Sequence, residues 1–316
     1  MSMAAKTSPG KRWQKPAALR PGDAVAVIAP SGPVPSERLE AGLAVLSERY
    51  RVVKSDGLLD RKGFLAGEDG RRLAELRWAL SDPQIRAVFC ARGGHGLLRL
   101  VLPLLTARPQ ELPQRSLVGF SDVTVLHALL GLHERVTIHG PVITQLGELA
   151  VTDRESLWAL LESREPPPPL LGLQSVAGSV RTVTGRLLGG NLEVLSRLCG
   201  TPLGDALLHS GEVVLLLEEV TEVPYRIDRA LTQLRLAGLL EKVVAVVVGE
   251  LLRCEGPAEH PAALAVIVER LGDLGMPVLA GAPIGHGARN RAVPLGVQVV
   301  VDPRRGCLAF AEAAVE

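Results

Sequence analysis

Gly119-Phe120-Ser121-Asp122 closes a short apolar run and opens a helix-like segment. A serine at a tight strand-to-helix turn has its hydroxyl lifted out of a sheet, and amides at the helix start lie near the oxygen of any carbonyl it attacks. The pattern is that of a nucleophile elbow, with Val123 where the second glycine of G-x-S-x-G would stand. The competing reading makes Ser121 an N-cap. Arg92-Gly93-Gly94-His95-Gly96 follows another apolar run. Its glycines let backbone approach a ligand and turn amides inward, as a phosphate cradle, an oxyanion hole or simply a tight turn. It lacks the Lys-Ser/Thr of a P-loop and the GxGxxG spacing.

A nucleophilic serine needs a base, and seven histidines are available. His127 and His133 read as helix-surface or packing residues, and His139 ends a strand at His139-Gly140-Pro141. His209 and His260 have uninformative surroundings. His286 stands between Gly285 and Gly287 on a loop, where an imidazole is reachable. A carboxylate usually orients such a base. Glu218 ends the apolar strand Val213–Leu217 and is the candidate, with Glu219 and Glu222 as neighbouring substitutes.

These residues need a frame. Apolar runs at 24–29, 50–54, 86–91, 116–120 and 136–139 alternate with helical spacing at 36–48, 69–80, 96–105 and 123–132. Ser36 reads as an N-cap. The alternation predicts an α/β fold with an N-terminal doubly wound, mostly parallel sheet. Ligands then sit beyond the C-terminal strand ends, near 30–33, 92–96 and 121–122. Pro166 to Pro169 break the composition, so a flavodoxin-like domain is expected over 16–165 and a linker over 166–180. A C-terminal α/β domain over 181–316 would follow, with strands near 180–186, 212–218, 243–249, 278–281, 296–301 and 307–310. Gly189-Gly190-Asn191 reads as a turn.

Composition narrows the function. The chain has 316 residues, net charge +1, 47% hydrophobic residues, 33 glycines, and only three Trp, two Tyr and four Phe. The length fits two domains, each with its own core. Disorder is excluded by hydrophobicity, and neither near-neutral charge nor scarce aromatics favours nucleic-acid or membrane-surface binding. Four scattered cysteines show no zinc spacing and no disulfide framework. No apolar stretch reads as a signal or a membrane span, so a cytoplasmic protein with a loose tail over 1–15 is expected.

Taken in order, the segments resemble the LD-carboxypeptidase family of serine peptidases, which also contains the microcin C immunity peptidases. The resemblance rests on Ala29-Pro30-Ser31-Gly32-Pro33, Ala91–Gly96 with Leu98-Arg99-Leu100, Gly119–Thr124 and His139-Gly140-Pro141. It continues through Gly189–Leu192 with Gly200-Thr201-Pro202, Leu216–Glu219 with Tyr225–Arg229, and Gly285-His286-Gly287 with Pro294-Leu295-Gly296. No single motif is specific, but seven in order are.

The resemblance implies a Ser121, His286, Glu218 triad in a cleft between the domains. It implies an oxyanion hole from the amides of Gly93, Gly94 and Asp122, and a substrate-proximal Asn191. Arg92 is a candidate for a substrate carboxylate. No metal or cofactor is implied. The implied substrate is a murein tetrapeptide losing its terminal D-alanine, and the implied assembly is a homodimer. Tyr is frequent in the family where His95 stands, and Asp where Glu219 stands. An amidase acting on peptidyl or aminoacyl nucleotides, or a non-catalytic binding protein, are the alternatives.

Overall fold

The computed structural model describes residues 13–105 and 114–316. The expected tail therefore lies, over 1–12, outside the described residues. Two sheets organise the chain. The first is built from β1 (Ala24–Ile28), β2 (Arg51–Lys54), β3 (Ala87–Cys90), β4 (Ser116–Gly119) and β5 (Thr137–His139), all paired in parallel. Their order, β2-β1-β3-β4-β5, is a doubly wound one, with its switch point between β1 and β3. β1, β3 and β4 are buried along their whole length, which is why they read as unbroken apolar runs.

The helices follow the sequence reading closely. α1 is Ser36–Ser47, α2 Asp69–Ser81, α3 Val101–Leu105 and α4 Thr124–Leu132. One detail is corrected. Pro35 occupies the N-cap of α1 and Ser36 is its first helical residue, since the amide of Leu39 already bonds the carbonyl of Pro35. α5 (Ile143–Leu146) and α6 (Val151–Glu162) complete the first half.

The second sheet contains β6 (Gln174–Ala177), β7 (Val183–Asn191), β8 (Val213–Val220), β9 (Val243–Leu252) and β10 (Val278–Ala280). Its centre, β7-β8-β9-β10, is parallel. α7 (Leu192–Arg197), α8 (Asp205–Leu208), α9 (Pro224–Leu236) and α10 (Ala263–Gly272) connect these strands. β11 (Val293–Leu295) follows, then β12 (Gln298–Asp302) and β13 (Cys307–Phe310), which extend the second sheet beside β7.

Two features modify the expected division of the chain. The segment expected as a linker carries β6, which pairs antiparallel with β10, and Leu170 bridges to Leu308. β11 leaves the second sheet altogether and pairs antiparallel with β5, so the chain after residue 181 supplies an edge strand to the first sheet. The loop between β10 and β11 therefore runs from one sheet to the other, and it carries His286.

Gly189-Gly190-Asn191 is the end of β7 rather than a turn. Gly189 has φ +129°, and a Cβ there would lie 2.0 Å from the carbonyl oxygen of Leu216 on β8. Gly190 has φ +142°, and its Cβ would meet Oγ1 of Thr124 at 2.5 Å. Glycine is required here for close approach of strands and of α4. Gly189→Ala is expected to lose about 2 kcal/mol or more of stability, read as a lower urea midpoint at constant m.

Candidate active site

Ser121 follows β4 and starts a single 3-10 turn before α4. It has φ +64°, a conformation rare for a residue with a Cβ. Such strain costs of the order of 1–3 kcal/mol and persists where the surroundings fix it. Its side chain caps neither this turn nor α4, so the N-cap alternative is not what the residue does. The hydroxyl makes no hydrogen bond among the described residues.

The glycine turn after β3 lies against this serine. A Cβ on Gly93 would fall 2.8 Å from Cβ and 3.0 Å from Oγ of Ser121. The carbonyl of Gly93 accepts from the amide of Gly32 at 3.0 Å, tying together the loops after β1 and β3. Asp122, 5% exposed, accepts from the amide of Leu97 at 3.0 Å and so holds the exit of the same turn. Burial raises the Asp122 carboxyl, against the lowering effect of that bond. Among the described residues no hydrogen bond is donated by the amides of Gly93, which lies against the serine, of Gly94 next to it, or of Asp122.

Glu218 lies on β8, wholly buried, and its Oε2 meets Nδ1 of His286 at 2.7 Å. Its Oε1 has no hydrogen-bond partner among the described residues. The contact requires the loop to press onto the strand. Gly285 permits it, with φ +141° and an ideal Cβ only 3.3 Å from Oε2 of Glu218. The His286 ring reaches the elbow through Phe120, with ring centroids 4.6 Å apart. No hydrogen bond joins Ser121 to His286, a looseness common where no substrate is bound.

The other expected residues are placed less directly. Asn191 is 4% exposed, and its side chain is occupied. Oδ1 caps α7 at the amide of Val194, and Nδ2 donates to Glu219 at 2.9 Å. Its own amide donates to Thr124 Oγ1 at 3.1 Å, so it links β7 to the helix behind Ser121. Arg92 donates to the carbonyl of Pro33. His95 is exposed and packs edge-to-face with Phe64, centroids 5.5 Å apart. His127 is buried and bonded to Thr137 and to the carbonyl of Gly119, and burial lowers it to about 4. His139 is buried with neither ring nitrogen hydrogen-bonded, and burial holds it well below its usual range.

Residues the sequence reading passed over anchor the His286 loop to the first half of the chain. Asn290 accepts from the amide of Gly285 at 3.2 Å and donates to Gln145 of α5 at 2.7 Å. Arg289 makes a two-pronged ion pair with the buried Asp153 of α6, at 2.6 and 2.7 Å. The available signal was indirect: three polar residues, Arg289 to Arg291, immediately before an apolar segment.

Glu219 points to the opposite face of β8 and is 2% exposed. Burial pushes its carboxyl up to about 7, although Asn191, Val220 and Glu193 all donate to it. The fold therefore favours its neutral form. The stability this confers is whole below the ordinary value of 4.5 and is lost as pH rises through about 7. Glu219→Gln is expected to flatten the decline in Tm between pH 5 and pH 8. At ~1.4 kcal/mol per pH unit, the slope removed amounts to a few kcal/mol. Any fixed cost of the amide facing Glu193 shifts the curve without restoring that slope.

Family models match both halves of the chain: the LD-carboxypeptidase N-terminal domain over residues 25–140 and the C-terminal domain over 184–301. A putative carboxypeptidase of Synechocystis sp. is 38% identical over 95% of this chain and 98% of its own. The chain belongs to the LD-carboxypeptidase family. The murein tetrapeptide carboxypeptidase of Pseudomonas aeruginosa is 33% identical, over 89% of this chain and 94% of its own. Among solved structures, muramoyltetrapeptide carboxypeptidase from Oxalobacter formigenes superimposes with a TM-score of 0.76 at 28% identity. It covers 91% of this chain and 97% of that one. The two-sheet α/β architecture is thus that of the family, and no helix among the described residues is long and apolar enough to cross a membrane.

Proposed function

We propose that this LD-carboxypeptidase family member is a serine peptidase that releases the terminal D-alanine of murein tetrapeptides by cleaving an L,D amide bond. The observation that carries the reading is the 2.7 Å bond from His286 to the buried Glu218, on a loop packed against the strained elbow of Ser121. With Nδ1–H held by Glu218, Nε2 is left as the base. It takes the proton of Ser121 as Oγ attacks the carbonyl carbon. The carbonyl oxygen becomes an oxyanion facing the amides of Gly93, Gly94 and Asp122, each such donor being worth about 3 kcal/mol in the transition state. His286 then protonates the departing amine of D-alanine, and water, deprotonated by the same imidazole, hydrolyses the acyl-enzyme.

In this reading Arg92 and Asn191 lie toward the substrate, Asn191 by bracing α4 behind the serine. The enzyme works in the cytoplasm as a homodimer, without a metal or cofactor. The test is incubation with murein tetrapeptide while D-alanine is measured. Release by the wild type and none by Ser121→Ala is expected. The second reading, an amidase for aminoacyl nucleotides, draws on the exposed Phe64–His95 pair, which could stack a base. Turnover of an aminoacyl sulfamoyl adenosine exceeding that of the tetrapeptide would replace the first reading with it.

A further inference from the structure

We infer that Glu250 is a positioning residue for His286, gripping the loop on both sides of the imidazole; the inference rests on the Ser121–His286 reading above. Glu250 lies on β9, directly after Gly249 and beside Glu218 of β8. Its amide donates to the carbonyl of Ile284 at 2.8 Å, and its carboxylate accepts from the amide of Gly287. Residues 284 and 287 flank His286, so one strand-end residue fixes both approaches to the ring.

The glycines around the histidine acquire a reason. A Cβ on Gly287 would fall 2.0 Å from Oε2 of Glu250, and one on Gly285 would fall 3.2 Å from Cβ of Glu250. A side chain at 287 would displace the Glu250 carboxylate from its place against the Gly287 amide. Misplacing a base by about 1 Å costs of the order of a hundredfold in rate. Gripping the loop through its backbone leaves Nδ1 of His286 to Glu218 and Nε2 to the serine.

Charge gives Glu250 a second effect on the same ring. The ionisable groups acting on it are Glu218 from β8 and His286 and Arg289 from the loop itself. Burial, and repulsion from Glu218, raise its carboxyl, while the Gly287 amide, His286 and Arg289 lower it. An ionised Glu250 favours the imidazolium. Removing it withdraws that support from the imidazolium formed as the serine attacks.

The test uses a fluorophosphonate as a probe of serine reactivity, so that no assumption about the peptide enters. Oγ of Ser121 bonds to phosphorus, the P–F bond breaks, fluoride leaves, and the hydroxyl proton passes to His286. The rate of labelling is followed against pH in the full chain. Glu250→Ala is expected to label at least about tenfold more slowly at its plateau. Glu250→Gln, which retains an acceptor for Gly287, stays within about threefold of wild type.

A general loss of structure would slow both variants alike, without rescue by the glutamine. Gly287→Ala, with Glu250 intact, is expected to slow labelling as Glu250→Ala does. Wild-type rates in Glu250→Ala, or an equal loss in Glu250→Ala and Glu250→Gln, overturn the inference. Failure of the wild type to label at Ser121 overturns the peptidase reading instead.

Discussion

Ser121→Ala is expected to lower kcat for D-alanine release by about 10⁴-fold or more, with KM changed only a few-fold. In the proposed mechanism the hydroxyl oxygen is the atom that bonds to the carbonyl carbon, and nothing adjacent replaces it. Asp122 is tied to Leu97, and Thr124 Oγ1 is engaged by the amide of Asn191. Residual turnover would come from the amides of Gly93, Gly94 and Asp122 and from the geometry of binding. A companion variant separates chemistry from folding. Ser121 sits at φ +64°, so Ser121→Gly relieves backbone strain that Ser121→Ala keeps. It is expected to be inactive yet more stable than the alanine variant by about 1 kcal/mol, read from the urea midpoint. Equal activity in the alanine variant and the wild type would remove Ser121 from the mechanism.

The parts of the site that were legible in the sequence share one property: their function is encoded locally. The apolar run before Ser121 and the helical spacing after it force a tight turn, and the structure places one there, with Ser121 at φ +64°. The glycines at 93 and 94 were readable as a close backbone approach, and the structure shows it: Gly93 lies against Ser121 and Gly94 against Gly32. β13 spans Cys307–Phe310, the same residues that its apolar run predicts.

What could not be read depends on partners far along the chain. β11 is three residues with a proline in the middle, which argues against a strand. It forms because it lies at the edge of the first sheet, beside β5, where the missing N–H of Pro294 need not be paired. The glycines at 189 and 190 resemble a turn because local propensity favours one. Only the carbonyl of Leu216 and the side chain of Thr124 explain why they are strand. Gln145 and Asn290 are 145 positions apart, and an acid at a strand end such as Glu250 ordinarily reads as solvated.

The same distinction bears on how the site is assembled. The serine comes from the first sheet and the acid from the second, so local sequence cannot align them. The β10–β11 loop does so, because it starts in the second sheet and ends in the first. Its anchors lie on both sides: Glu218 and Glu250 from the second sheet, and Gln145 and Asp153 from helices of the first half. Arg289→Ala would leave Asp153, 1% exposed, without its cation. The expected result is a lower Tm together with a lower kcat, because one pair serves both folding and alignment.

Glu218→Gln is expected to reduce kcat by about 10⁴-fold while leaving the fold intact. The carboxylate is wholly buried and accepts from Nδ1 of His286, which fixes the tautomer that leaves Nε2 as the base. A glutamine that turns its NH₂ toward Nδ1 selects the opposite tautomer, with Nε2 protonated and useless to the serine. One that turns its oxygen keeps the tautomer but withdraws the charge that stabilises the imidazolium formed during attack. Either way the transition state is destabilised more than the bound substrate, so kcat falls and KM does not. His286→Ala should behave differently, since it strands the carboxylate in a dry site. Its stability should drop. A glutamine variant with wild-type kcat would exclude Glu218 as the orienting acid.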